Sequence, residues 1–234
     1  MAEPTKPTEP TPGLGRVAIP DARDDRYPMS TALPRAVDLP RFRYWSAYYP
    51  PLDQGSTSQC VLYSTAGALM ASPVRRPRSL FTPAYLAEQY RWAQDNDDWP
   101  GAEPSYYGTS VRAGCKAWQR LGLIRAYYHA QTMADLELWT LTKHPWIAGT
   151  SWYASFYEPD PKTGVIRIAP GSAVVGGHAW MVVGYNRERG LFTALNSWGS
   201  GYGLFGRFRI EGELMERLIF SEYGDAVGMD EVLP

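Results

Sequence analysis

The sequence predicts an α+β fold, with a helical first half set against an antiparallel second half. Two patterns predict it. Capped helical segments fall before about residue 145, and short β-rich runs separated by Gly, Pro or Asn follow it. A third observation sets the scale. The chain has 234 residues, 44% hydrophobic and 14% aromatic, which is enough apolar surface to close a core without disulfide staples. That length suits one large domain or two small lobes.

Residues 1–15 read as a flexible tail, because Pro4, Pro7, Pro10 and Pro12 alternate with Thr, Glu and Lys. Residues 16–50 mix prolines, arginines and aromatics, as expected of an extended strap on a folded body. Residues 51–234 form the expected folded domain, with a helical lobe over about 51–144, a β lobe over about 145–211 and a last helix over 212–220. The first helix starts near Cys60 and runs to Ala68 or Met70, through good helix formers. Thr82 caps a second that has Pro83 in its first turn and ends near Ala93. Thr109 or Ser110 caps a third, which ends at Leu121-Gly122. Thr132 and Asp135 resemble a capping box opening a fourth, to about Lys143. Expected strands are Trp146–Tyr153, 165–168, 179–185, Leu191–Leu195 and 207–210, with a hairpin turn at 186–190. Asp97-Asp98 reads as a solvated loop, and His129 and His144 as surface or helix-end residues.

A net charge of -1 gives no electrostatic footprint for nucleic acid or a charged membrane. No run approaches the roughly 18 apolar residues of a membrane span. The N-terminus has no apolar signal segment, so a cytoplasmic location is expected, with virion association as the alternative. Two cysteines, Cys60 and Cys115, argue for free thiols in a reducing compartment, Cys115 as a buried thiol within a helix. No Cys/His cluster has metal-ligand spacing, and no cofactor is expected. Ordering of the Pro-rich tail would imply a protein assembly as partner.

The chemistry concentrates in three segments. Cys60 follows Asp53-Gln54-Gly55 and stands at an expected helix start, where the helix dipole favours a thiolate. His178 lies in Gly176-Gly177-His178-Ala179 and can exchange a proton with the sulfur. Together they predict a thiolate–imidazolium pair before substrate arrives. Asn196, in Asn196-Ser197-Trp198-Gly199 and 18 residues after His178, can hold the far ring N–H by its side-chain oxygen. Trp198 can shield that bond from water. The Gln54 amide and the Cys60 backbone N–H are candidate oxyanion donors.

These segments resemble the papain-like cysteine peptidases, particularly their bacterial and phage branch. Asp53-Gln54-Gly55 resembles the Asp-Gln-Gly segment, with the oxyanion Gln six residues before the nucleophile. Leu80-Phe81-Thr82-Pro83 resembles the Leu-Ser-Pro helix start, and Gly108-Thr109-Ser110-Val111-Arg112 the bacterial Gly-Thr-Ser-Ile-Arg helix. Gly177-His178-Ala179 with Val182-Val183-Gly184-Tyr185 resembles the catalytic His strand. Asn196-Ser197-Trp198-Gly199-Ser200-Gly201-Tyr202-Gly203 resembles the Asn segment, the most specific of these motifs. The resemblance implies a helical lobe facing an antiparallel β-barrel lobe, with the cleft between them. It implies peptide or protein substrates and peptide-bond hydrolysis through a thioester. Cys60, His178, Asn196 and Gln54 would be catalytic, and Gly108, Gly177 and Trp198 would line the substrate site. The family's Cys-Gly-Ser-Cys-Trp is replaced by Thr57-Ser58-Gln59-Cys60-Val61. About 50 residues precede the site, so no long pro-region is expected to control it. Two other readings remain open: a papain-fold structural or docking protein with little or no activity, for instance in a phage particle, and a thiol hydrolase or acyltransferase acting on cell-wall amides.

Overall fold

The computed structural model describes residues 13–18, 20–35, 38–97 and 107–231. Its central element is α1 (Cys60–Met70), in which ten of eleven residues are buried. A helix buried all round must satisfy its own polar groups. Ser64 Oγ donates to the Cys60 carbonyl, Thr65 Oγ1 donates to that of Val61, and Trp118 Nε1 donates to Thr65 Oγ1. Around it lie α2 (Pro83–Asp95), with the Thr82 hydroxyl accepting from Tyr85 N, and α3 (Val111–Arg120), with the Ser110 hydroxyl accepting from Ala113 N. The fourth helix, α4 (Met133–Thr142), begins with the reciprocal Thr132–Asp135 capping box that the sequence suggested.

The strands are β1 (Phe42–Tyr44), β2 (Ile124–His129), β3 (Trp146–Tyr153), β4 (Val174–Asn186), β5 (Leu191–Leu195), β6 (Arg207–Glu211) and β7 (Asp225–Glu231). All named pairs are antiparallel, in the order β2-β7-β3-β4-β5-β6, with β1 also pairing β4. The sheet is open rather than closed into a barrel, because β2 and β6 end the order without pairing each other. Side chains alternate along β3 and β4. Ile147, Met181 and Val183 pack with α1 and α3, while Trp146, Trp180 and Val182 join Phe192, Phe208 and Met215 on the other face. Both faces are covered, so the middle of β4 reads as a continuous apolar run instead of an alternating one. A short helix, α5 (Gly212–Glu216), continues through a π turn at Arg217–Ser221.

Several expectations are corrected. Residues 165–168 form no strand; Val165 makes one isolated bridge to Arg209. Strands β1, β2 and β7 were not foreseen, and they extend the sheet with segments from outside 145–211. Their partners lie far away in sequence, so no local turn marks them. His129 and His144 are buried rather than at the surface, although His144 does follow the end of α4. His129 sits under the strap, where its backbone N–H donates to Tyr27 O, and His144 lies edge-on to Trp139 with its Nδ1 on Pro145 O. Asp97 is also buried. Its carboxylate accepts from Thr109 Oγ1, Ser110 N and Ser110 Oγ, so it organises the start of α3; Asp98 lies outside the described residues. Residues 1–12 of the expected tail lie outside the described residues, but residues 13–15 are packed, with Leu14 buried. Among the described residues no helix is long and apolar enough to cross a membrane.

Thr132→Ala removes one half of the α4 capping box and is expected to destabilise the fold by about 1 kcal/mol, read as a lower urea midpoint at unchanged slope.

Candidate active site

Cys60 is the first residue of α1, so its backbone N–H belongs to the first turn and has no helical acceptor. His178 and Asn196 come from the sheet: His178 lies within β4, and Asn196 directly follows β5. Residues 52–54 are stitched to residues 197–199, which brings the helix start to the strand ends. Gln54 N donates to Ser197 O, Gly199 N donates to Leu52 O, and Ser197 Oγ donates to Gln54 Oε1 at 2.6 Å. The Gln54 amide nitrogen donates to Thr57 O at 2.6 Å, so within this loop it is already committed.

His178 Nε2 lies 2.7 Å from Asn196 Oδ1. That oxygen also accepts from Ser197 N at 2.7 Å, which fixes the orientation of the amide. An oxygen facing Nε2 requires Nε2 to carry the hydrogen. Nδ1 is then the bare nitrogen, and it has no hydrogen-bond partner among the described residues. Trp198 stacks on the imidazole, with ring centroids 4.6 Å apart, and Trp152 meets it edge-on at 4.7 Å. The ring is therefore held in one plane, with one nitrogen available to take a proton.

Cys60 and His178 are both fully buried. Burial pushes the thiol up to about 12, against the Ala179 backbone N–H that hydrogen-bonds the sulfur. Burial pulls His178 down to about 4, against its bond to Asn196. Both shifts run against charge, so burial under the strap opposes the thiolate–imidazolium pair expected from the sequence.

The chain itself occupies the cleft. Gly177 O, one residue before His178, accepts from Gly15 N and Arg16 N, both at 3.0 Å. On the helical side Thr109 N donates to Gly15 O at 2.9 Å, and Val17 N donates to Thr109 O at 3.0 Å. Trp198 Nε1 donates to Gly13 O at 3.0 Å. Residues 13–17 thus span the two lobes as an extended segment, and the approach is close. A Cβ at Gly15 would lie 2.1 Å from Ser58 O, and one at Gly177 the same distance from Arg16 O. Of the residues expected to line the substrate site, Gly177 and Trp198 bond the strap. Gly108 faces it, with a φ of +94° and room for no side chain against Gly15 O. The contacts of Thr109 and Arg16 across this cleft were missed in the sequence. Thr109 was read only as a helix cap, and Arg16 opens a segment whose proximity to the site has no local signature.

This architecture has close counterparts among solved structures. Xylellain, a cysteine protease from Xylella fastidiosa, superposes with a TM-score of 0.74 at 21% identity, over 97% of this chain and 99% of that one. The fold is papain-like. Bromelain from Ananas comosus matches at a TM-score of 0.59 and 12% identity, over 83% of the papain-like chain and 100% of bromelain. In sequence, a peptidase C1-like protein of Acanthamoeba polyphaga mimivirus is 36% identical over 202 residues, covering 68% of the papain-like chain and 63% of the viral protein. The chain therefore spans less than two thirds of that relative's length. No family model matches the chain.

Two outcomes follow from this papain-like site. Gly15→Ala places a methyl group against the Ser58 backbone and is expected to unseat the strap, raising the rate of Cys60 alkylation by iodoacetamide about tenfold or more at pH 7 while the far-UV circular dichroism stays that of the folded parent. His178 and His144 each fall from the usual 6.5 to about 4 on burial. The unfolded chain then binds more protons between those values. Stability is full above about pH 6.5 and declines as pH falls towards 4, by roughly 3 kcal/mol for each histidine. His144→Gln should flatten the acid limb of a plot of urea midpoint against pH.

Proposed function

We propose that this chain is a thiol peptidase that hydrolyses peptide bonds through a covalent thioester. Cys60 is the nucleophile, His178 the proton carrier and Asn196 the group that orients it. The observation that carries the reading is the Nε2–Asn196 bond of 2.7 Å, which leaves Nδ1 as a bare acceptor, while the Cys60 sulfur at its helix start is hydrogen-bonded by the backbone N–H of Ala179, the residue after His178.

Sγ attacks the substrate carbonyl as the thiol proton passes to Nδ1. The resulting oxyanion is met by the Cys60 backbone N–H, and by the Gln54 amide once it releases Thr57 O. The C–N bond breaks as the imidazolium protonates the departing amine, leaving a thioester. Water then gives a proton to Nδ1 and its oxygen attacks the thioester; the carboxylic product leaves, and the thiol regains its proton. Asn196 keeps Nε2 protonated throughout, so Nδ1 alternates between base and acid. Trp198 keeps water from competing for that bond. The resemblance to peptidases supports peptide or protein substrates.

Strap residues 13–17 in the cleft favour a second reading, in which the fold serves as a structural or docking module with its site closed. The two separate on one experiment. Under the peptidase reading, Cys60→Ala lowers hydrolysis of an unstructured protein such as casein by about 10³-fold or more, with the melting temperature retained. Turnover equal to that of the parent overturns it. A parent protein that cleaves nothing, even carrying Gly15→Ala, supports the docking module.

A further inference from the structure

Arg16 is the strap residue whose charged side chain enters a built pocket, while Leu14 packs into the apolar core. Its backbone lies between Gly177 O and Thr109, the groups that hold an extended chain next to His178. Its guanidinium is almost fully buried. Nε donates to Asp225 Oδ2 at 2.8 Å, Nη2 lies 2.7 Å from the same oxygen, and Nη2 also donates to Tyr223 O at 2.6 Å. Asp225 opens β7 and pairs in register with Gly149 of β3, so the carboxylate is fixed by the sheet. A Cβ at Gly149 would lie 2.9 Å from Asp225 Oδ2, 3.1 Å from Arg16 Nε and 2.8 Å from Val111 Cγ2. Glycine there leaves the space in which a guanidinium meets the carboxylate. Among the described residues, Arg16 is the only cation bonded to Asp225.

An extended peptide that reaches the Cys60 sulfur must take over the Gly177 and Thr109 groups, and residues 13–17 must leave them. Arg16 then vacates its pocket, and Asp225 is left as a part-buried carboxylate with no counter-charge. A neutral side chain entering in its place leaves that charge unpaired, whereas a cationic one restores the pair. We infer that the Arg16 pocket is a substrate subsite selecting an arginine or lysine side chain through Asp225, and that Arg16 of the strap is the occupant this substrate residue replaces. The inference rests on the peptidase reading for its kinetics but not for its recognition chemistry.

The test uses the full chain and peptides identical except at one position, scanned through the sequence, carrying arginine, lysine, citrulline or leucine. Citrulline keeps the size and most of the hydrogen bonding of arginine without its charge. At one position, arginine and lysine peptides should show kcat/KM about tenfold or more above citrulline, and Asp225→Asn should bring the ratio to within about threefold. Cys60 labelling by a thiol-directed epoxide should continue in Asp225→Asn, which separates lost selectivity from a lost site. Equal rates for arginine and citrulline at every position overturn the subsite while leaving the peptidase reading intact. Binding of the same peptides to Cys60→Ser carrying Arg16→Ala gives a readout free of turnover. There an arginine peptide should bind about tenfold or more tighter than its citrulline counterpart. Discrimination in binding without any hydrolysis by the parent or by its Gly15→Ala variant sinks the peptidase reading and keeps the subsite; equal affinities sink the subsite.

Discussion

The site depends on one seam, the stitching of residues 52–54 to residues 197–199. Cys60 follows the first segment, and Asn196 immediately precedes the second. Ser197 O accepts from Gln54 N, and Ser197 Oγ donates to Gln54 Oε1, so a single serine meets both the backbone and the side chain of the glutamine. The backbone of Ser197 also donates to Asn196 Oδ1. A displacement of the 52–54 loop would therefore pass through Ser197 to the amide that orients His178. The helix and the sheet hold their own geometry. This short hydrogen-bonded seam sets the distance between the groups they carry, in a region where buried polar atoms are costly to leave unpaired.

Burial has opposite effects on holding the site and on making it reactive. Low solvent access strengthens the His178–Asn196 bond and favours stacking against Trp198. The same lack of solvation opposes charge on the Cys60 thiol and on the imidazole. The strap uses the groups on either side of the pair, Gly177 O and Thr109, as a visiting extended chain would. The closed state is thus a matter of occupancy: the donors and acceptors of the cleft are satisfied by residues 13–17 of the same chain.

Much of the local structure was legible. Thr82, Ser110 and Thr132 cap the helices that the sequence assigns to them, because capping is a bond between residues three apart. Trp146–Tyr153 and Leu191–Leu195 read correctly as strands, being short, apolar and bounded by turn formers. Strands β2 and β7 did not. Each is a sheet member only through partners far away in sequence, and neither alternates cleanly. Asp97 looked solvated because charged pairs usually are. Three donors from the start of α3 reverse that, and nothing near Asp97 in sequence announces them.

What the sequence determined by itself is the inventory and its local frame: a cysteine at a helix start, a histidine in a Gly-rich strand, and an asparagine before Ser-Trp-Gly. These depend on spacing and propensity over a few residues. Tertiary structure decided which of their atoms are free. It turned the Gln54 amide towards Thr57, left Nδ1 of His178 bare, buried the thiol and the imidazole and laid residues 13–17 across the cleft with Arg16 on Asp225. Those outcomes depend on contacts between segments as much as 209 residues apart, and on the solvent those contacts exclude, neither of which a local pattern encodes.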